Sequence, residues 1–190
     1  AADTYLNRLV AKGYKVAICE QVEDPKQAKG LVKREVIRIV TPGTNLDTNA
    51  MDETKHNYLM AIVCMADRFG VSIADISTGD YLVTEVDGCR KLLDEITKFA
   101  PTEIICNDSF FVSGVEDLKN RLGIAVNALE NWYFGDERCK KTLLDHFHVS
   151  SLAGLGLGEL NCGIIAAGAL LQYLMETQKT AIANLTSLNT

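Results

Sequence analysis

The stretch YLMAIVCMADRFGVSIADISTGDYLVTEV, residues 58–86, contains three apolar runs separated by two short turns. Asp67 to Gly70 separates the first run from the second, and Thr78-Gly79 separates the second from the third. Runs of this length that are rich in Val, Ile and Tyr and bounded by Gly and Asp predict β-strands. Because the turns are too short for a crossover, consecutive strands must be antiparallel. The stretch therefore predicts a three-stranded meander.

Predicted helices and strands alternate after the meander. The pattern predicts a helix after Asp87, a strand at 103–106, a helix at 115–122, a strand at 124–129, and a helix from Asp136 to about Phe147. Three antiparallel strands followed by alternating units predict a mixed sheet with helices on its faces. The order β-β-β-α-β-α-β-α resembles that of the ribonuclease-H-like fold. The predicted class is therefore α/β, with a ribonuclease-H-like mixed sheet flanked by helices.

The first 50 residues predict a separate, partial α/β unit. A short N-terminal helix is followed by strands at 14–19 and 32–40 and by the turn Thr41 to Thr44. Two strands alone make a poor sheet, so we expect further strands of this unit to lie outside the chain. The polar residues 45–57 predict a linker between the two units.

A long helix is predicted from Glu159 to Gln178, with only a narrow polar face. A helix that is apolar almost all round requires partners on several sides. We expect some of these partners to lie outside the chain. The isolated chain would then expose apolar surface on this helix and dimerise through it.

The sequence from Gly13 to Pro25, GYKVAICEQVEDP, closely resembles the bacterial MutS mismatch-repair family. The resemblance continues through AKGLVKREV at 28–36 and RIVTPGT at 38–44, resumes at ADISTG at 74–79, and ends with AAGALLQYL at 166–174 and ETQ at 176–178. The resemblance implies a division of the chain into three parts. Residues 1–50 are the C-terminal part of a mismatch-binding domain, residues 55–158 a connector domain, and residues 159–190 the start of a lever and core domain.

The resemblance also implies a function for the longer protein. It would be a cytoplasmic, nucleoid-associated homodimer that recognises mismatched double-stranded DNA, binds ATP with Mg²⁺ and acts with the repair protein MutL. The family inserts a phenylalanine, with a glutamate nearby, beside the mismatched base, but no F-x-E occurs here. The phosphate-binding motif G-x-x-x-x-G-K-[ST] is also absent from the sequence. We therefore expect a non-catalytic chain without a cofactor of its own, whose connector relays the DNA and ATP state and docks MutL.

Charge is unevenly distributed along the chain. Residues 1–40 contain 8 Lys or Arg and 5 Asp or Glu, a net charge of +3, whereas the other 150 residues contain 11 against 20, a net charge of −9. Only the first segment offers phosphates a favourable field. Its basic residues are Lys26, Lys29, Lys33, Arg34 and Arg38, and we expect part of this stretch to face the DNA backbone in the longer protein. The alternatives are an ordinary solvated face and a stand-alone DNA-binding module, which the acidic remainder disfavours.

Asp75 in the sequence ADISTG raises the alternative of a Mg²⁺-dependent nuclease on a ribonuclease-H-like scaffold. Such an enzyme needs several carboxylates around its metal ions, and the available partners are Asp80, Glu103 and Asp108. The competing interpretation is a strand aspartate that accepts hydrogen bonds from the following turn, residues 77–79. We favour the turn, because a shared fold does not transfer chemistry. No catalytic or metal-binding residue is therefore predicted.

Two aromatic groups are candidates for partner docking. Phe110 and Phe111 follow a predicted strand in a predicted loop, and two adjacent aromatic residues cannot both point inward. This pair is the preferred docking candidate. The cluster Trp132-Tyr133-Phe134 more often packs beneath a loop as core.

The six cysteines and the hydropathy pattern exclude several other classes. Neighbouring cysteines are at least 17 residues apart, so no C-x-x-C metal pair exists, and buried thiols in a reducing compartment are the simplest interpretation. No run of 18 apolar residues occurs, so no membrane span is predicted.

Overall fold

The N-terminal part of the chain forms a helix and a β-hairpin in the computed structural model, which describes residues 2–46, 56–112, 115–178 and 181–190. Helix α1, Ala2–Ala11, ends before Gly13, whose φ of +88° is the left-handed conformation that favours glycine after a helix. Strands β1, Val16–Gln21, and β2, Arg34–Val40, pair antiparallel with a register shift after Ile18. The predicted partial α/β unit is therefore present as one helix on a two-stranded hairpin.

The second sheet has the predicted mixed topology. Its strands are β3 Leu59–Met65, β4 Arg68–Asp75, β5 Asp80–Asp87, β6 Glu103–Cys106 and β7 Ala125–Ala128. The spatial order is β5-β4-β3-β6-β7, with β3, β4 and β5 antiparallel and with β6 and β7 added parallel to β3. The meander and the following parallel strands confirm the ribonuclease-H-like fold class.

Helices cover both faces of this sheet. They are α2 Gly88–Phe99, α3 Asp108–Val112, α4 Val115–Leu122, α5 Asp136–Phe147 and α6 Cys162–Gln178. Helices α2, α3 and α4 contribute Leu92, Ile96, Phe110 and Leu118 to the core on one face. Helices α5 and α6 build a larger core on the other face. None of the helices in the described part of the chain is long and apolar enough to span a bilayer.

The expectation that the long C-terminal helix exposes apolar surface is wrong. Every residue of α6 is buried except Met175 and Glu176. The helix packs across β3, β4 and β5 on one side and against α5 on another. Its all-round apolar character is therefore satisfied within this chain, because it lies between the sheet and a second helix.

Three local predictions need smaller corrections. The predicted loop around Phe110 is the one-turn-long helix α3. Asp136 is the first residue of α5 and does not cap it, since Gly135 holds the cap position. Within the predicted linker 45–57, Asn45 and Asn57 are buried, whereas residues 47–55 lie outside the described residues.

Candidate functional site

The predicted basic stretch lies on the hairpin and on the loop between its strands. Lys26, Lys29, Lys33 and Arg34 are exposed, and Arg38 is half-buried. Arg34 is the first and Arg38 the fifth residue of β2, about 13 Å apart at the rise of a β-strand. The five side chains therefore follow one edge of the hairpin and do not form a compact cluster.

Neighbouring acidic residues order the basic loop. The Asp24 carboxylate accepts a hydrogen bond from the Lys26 amide at 2.9 Å, and the Glu23 carboxylate accepts one from the Lys33 amide at 3.0 Å. The Lys33 ammonium lies 2.7 Å from Glu35, and this hydrogen bond raises the pKa of Lys33. Asp24 and Glu23 thus bind backbone and Glu35 pairs with the Lys33 ammonium, while Lys26 and Lys29 are exposed.

A buried polar junction joins the hairpin to the five-stranded sheet. The turn after β2 closes through hydroxyls, since Thr44 Oγ1 accepts the Thr41 amide at 2.9 Å. The Asn57 side-chain amide donates to the carbonyl groups of Pro42 at 3.1 Å and Asn45 at 3.2 Å. The Thr102 hydroxyl donates to Asn57 Oδ1 at 2.6 Å. The segment predicted as a linker, residues 45–57, is therefore fixed at its two described ends.

Glu103, the first residue of β6, lies at the centre of this junction and is fully buried. Its Oε2 accepts the Gly43 amide at 3.0 Å, and its Oε1 accepts the Tyr173 hydroxyl at 2.6 Å. Burial and the neighbouring Glu103 charge raise the pKa of Tyr173 well above its ordinary value, so the phenol remains a donor. One carboxylate thus contacts both the hairpin side and α6.

Asp75 has the structural role that the turn interpretation predicts. Its Oδ1 accepts the Ser77 amide at 2.9 Å and the Ser77 hydroxyl at 2.6 Å. Its Oδ2 accepts the Asn57 amide at 3.2 Å and lies 3.1 Å from His56 Nδ1. Both carboxylate oxygens are therefore engaged, which confirms the turn interpretation.

Of the three carboxylates proposed as partners of Asp75, Asp80 lies beside it, but Glu103 and Asp108 do not. Leu59 pairs with both Ala74 and Glu103, so these three side chains share one face of the sheet, and Asp75 points to the opposite face. Asp80 is the cross-strand partner of Asp75 and lies 3.7 Å from the same His56 Nδ1, whereas Asp108 begins α3 beyond the far end of β6. The described residues contain no group of three His, Cys, Asp or Glu suited to a metal ion.

The predicted docking pair is divided between core and surface. Phe110 is 6% exposed and packs edge-on against Phe69, with ring centroids 6.3 Å apart. Phe111 is 39% exposed. Phe110 is therefore not part of the surface, and a docking site here depends on Phe111.

The second aromatic cluster is also divided. Tyr133 is buried, whereas Trp132 is 38% exposed, with its indole N–H donating to Glu130 at 2.7 Å. The Arg138 guanidinium lies 4.5 Å from the Trp132 ring centroid, close enough for a cation–π contact.

The junction role of Glu103 and Tyr173 was missed at the level of sequence, since Glu103 was named only as a possible metal-binding partner of Asp75 and Tyr173 was not singled out. The available signal was a glutamate directly before the apolar residues Ile104-Ile105-Cys106, since a charge in a short buried strand needs a partner. The partner could not be inferred, because Tyr173 is 70 residues away.

Comparison with protein families identifies both parts of the chain. Residues 57–189 match the family model for MutS domain II, and residues 1–49 match the model for MutS domain I. The domain I match covers α1 and the hairpin, and the domain II match covers the five-stranded sheet together with α6.

Two curated relatives and one solved structure are also similar to this chain. The chain is 60% identical over 188 residues to DNA mismatch repair protein MutS of Lachnoclostridium phytofermentans, covering 98% of this chain and 20% of that protein. It is 43% identical over 198 residues to the MutS of Alkaliphilus metalliredigens, covering 100% and 22%. A chain in a structure of T. thermophilus RuvC in complex with Holliday junction substrate matches with a TM-score of 0.44 at 13% identity, covering 66% of this chain and 98% of that one. The chain therefore spans about a fifth of the length of these curated relatives, and by its match to both domain models it belongs to the MutS family.

Proposed function

We propose that this chain is the part of a bacterial DNA mismatch repair protein that links DNA contact to the rest of the molecule. The observation that carries the proposal is the match to MutS domains I and II in one chain whose two parts meet at a buried polar junction. The longer protein would act in the cytoplasm as a homodimer on mismatched DNA. ATP and Mg²⁺ would bind outside this chain, which we propose has no catalytic activity.

The basic edge of the hairpin is the proposed DNA-facing surface. Its Lys26, Lys29 and Arg34 side chains are exposed, and of its local acids only Glu35 is seen paired with a basic side chain, Lys33, among the described residues, so phosphates would meet net positive charge. Contacts of this type position a protein on DNA without reading its sequence. Mismatch reading itself would belong to residues outside the chain.

The five-stranded unit is the proposed relay and the proposed MutL-docking domain. Its net charge is acidic, which suits protein contacts better than DNA contacts. Phe111 supplies an exposed apolar side chain on α3, anchored by its buried neighbour Phe110. ATP-driven changes elsewhere would act by changing the orientation of this rigid unit.

The boundary predicted at residue 158 stays a prediction about the longer protein. Helix α6 packs on the same sheet as residues 59–128, and the domain II match extends to residue 189. We therefore propose that the lever begins after residues 181–190, the C-terminal segment that the structure describes.

The test is the salt dependence of DNA binding by the full-length protein that contains this chain. A plot of log K against log salt has a negative slope. Replacing Lys26, Lys29 and Lys33 with alanine should make this slope less steep by about 1 for each phosphate that the protein no longer neutralises. The matched control replaces Lys140 and Lys141, lysines of α5 that pair with Asp136 and Asp145. An unchanged slope in the hairpin variant would refute DNA contact by this surface.

A further inference from the structure

The hairpin is attached to the sheet mainly through one side. A cleft of about 760 Å³ lies between the end of α1 and the start of β7, lined there by Lys12, Gly13 and Ala125, and no hydrogen bond between the described residues of these two elements is seen across it. On the other side, the Gly43 turn meets β6, Ile39 of β2 meets α6, and Lys15, just before β1, also meets α6. The Asn57 side chain holds the same turn through Pro42 and Asn45. The orientation of the hairpin relative to the sheet therefore depends on the contacts of its turn and of α6.

The Glu103 carboxylate is the centre of these contacts. A buried carboxylate is costly unless hydrogen bonds satisfy it, and Glu103 receives one from Gly43 and one from Tyr173. Glycine is required for the first, because a Cβ at Gly43 would lie 2.9 Å from Leu59 Cβ and 3.1 Å from Glu103 Oε2. The backbone of the turn is thus seated directly on the carboxylate.

Helix α6 completes the attachment through its last two turns. The Lys15 ammonium lies 4.9 Å from the centroid of the Tyr173 ring, and the Gln178 side chain donates to the Ile39 carbonyl at 3.3 Å. Lys15 immediately precedes β1, and Ile39 lies in β2. Tyr173 therefore contacts the hairpin with its ring and Glu103 with its hydroxyl.

We propose that Glu103 and Tyr173 form a latch that fixes the orientation of the hairpin relative to the connector sheet. Glu103 is a positioning residue: it holds the Gly43 turn and the Tyr173 phenol at once, so the hairpin and α6 move as one body. The effect of the latch on DNA affinity rests on the proposed function, whereas the existence of the latch does not. Releasing either hydrogen bond loosens the hairpin on the sheet, although the Asn57 bonds to Pro42 and Asn45 remain, while the five-stranded sheet stays folded.

The test compares Tyr173→Phe and Glu103→Gln with the control Tyr81→Phe in the 190-residue chain. Tyr81 is also buried, and its hydroxyl also joins the sheet to α6 by donating to the Ala167 carbonyl at 2.5 Å. It lies on β5, three strands and about 14 Å from β6. The control therefore removes a buried phenol hydroxyl from the same helix–sheet interface, away from the hairpin.

Amide hydrogen exchange is the primary measurement. In Tyr173→Phe, the amides of β1, β2 and Gly43 should exchange at least tenfold faster relative to those of β3, β4 and β5. Glu103→Gln should show a smaller increase, because the amide can still accept from Gly43 and donate to the Tyr173 oxygen. In Tyr81→Phe, hairpin and sheet amides should change by the same factor. If the exchange rates of hairpin and sheet amides rise by the same factor in Tyr173→Phe, the latch proposal is overturned.

Two further measurements keep the outcome decisive. In the unsubstituted chain the Gly43 amide should exchange as slowly as strand amides, and exchange at the rate of an exposed amide would overturn the proposal without any variant. In the full-length protein, Tyr173→Phe should weaken DNA binding about tenfold with an unchanged salt slope, since every phosphate-facing side chain is retained. Faster hairpin exchange with unchanged DNA affinity would support the latch and refute the hairpin as the DNA surface.

Discussion

The side chain of Glu85 caps the N-terminus of helix α6. Its carboxylate is 4% exposed and accepts the amides of Asn161 at 2.5 Å and Gly163 at 2.9 Å. Its other oxygen lies 2.8 Å from Arg68 Nε. Helix N-termini leave amides without intrahelical partners, and a negative charge there is also favoured by the helix dipole. The cap of α6 therefore comes from β5, 76 residues earlier in the chain.

Replacing Glu85 with glutamine should destabilise the fold in a pH-dependent manner. Burial raises the pKa of Glu85, but the Gly163 and Asn161 amides and the Arg68 charge lower it more, so it lies below its ordinary 4.5. A lowered pKa in the folded state gives stability that is complete above pH 4.5 and is lost as the pH falls through the lowered value. We expect Glu85→Gln to cost about 1 kcal/mol at pH 7 and less at acidic pH, measured by urea unfolding.

Asp87→Asn is the matched control for this prediction. It removes a carboxylate 3.9 Å from the same Arg68 guanidinium, and its side chain is 69% exposed. Its effect should be small at every pH, as for most exposed ion pairs. An equal loss for Glu85→Gln at pH 7 and at acidic pH would contradict the assigned role of the Glu85 charge.

At the level of elements, two glycines set the distances at which α6 packs. A Cβ at Gly70 on β4 would lie 2.1 Å from the Cys162 carbonyl oxygen. A Cβ at Gly168 would lie 2.4 Å from Cys139 Cβ on α5. Such distances are below any van der Waals contact, so α6 can approach the sheet and α5 this closely only where a side chain is absent.

Gly168→Ala should therefore force α5 and α6 apart. Overpacking of a dense core costs about 1–3 kcal/mol, and we expect a loss at the upper end because backbone atoms of Cys139 are in the way. Gly158→Ala is the control, because its nearest contact would be an ordinary 3.8 Å and its effect should stay within about 0.5 kcal/mol. Thermal unfolding of the two variants measures the difference, and similar values would refute the close-packing argument.

For the molecule as a whole, the described C-terminal segment protects one edge of the sheet. Asn189 pairs with the outer side of β5, accepting the Val83 amide at 2.8 Å and donating to the Tyr81 carbonyl at 3.0 Å. Leu185 and Leu188 of the same segment are buried in the α6-side core. The segment thus covers both an open strand edge and apolar surface, the features that promote association between chains.

Removing residues 182–190 should destabilise the chain and promote its association. Two buried leucines contribute about 1.5–3 kcal/mol each, and the exposed β5 edge becomes available to other chains. Chemical unfolding together with light scattering measures both effects. The double variant Leu185→Ala/Leu188→Ala keeps the backbone pairing, so it should lose stability with less association. A truncated chain that stays monomeric at the original stability would refute this role.

Local sequence patterns were sufficient to predict the parts of the fold that depend on neighbouring residues. The three-stranded meander, the following α/β alternation and the role of Asp75 in its turn were predicted correctly, because turn residues and apolar periodicity act over a few neighbours. Family membership also followed from sequence, since the motif at 13–25 belongs to a matched domain.

Contacts between distant segments could be seen only in the folded molecule. It placed α6 between the sheet and α5, where the sequence had predicted an exposed helix, and it turned Phe110 into the core while leaving Phe111 outside. It also joined Glu103 to Gly43 and Tyr173 across 60 and 70 residues. These outcomes depend on which buried groups meet after the chain has folded, and burial and hydrogen-bond satisfaction are properties of the packed molecule that no local window of sequence contains.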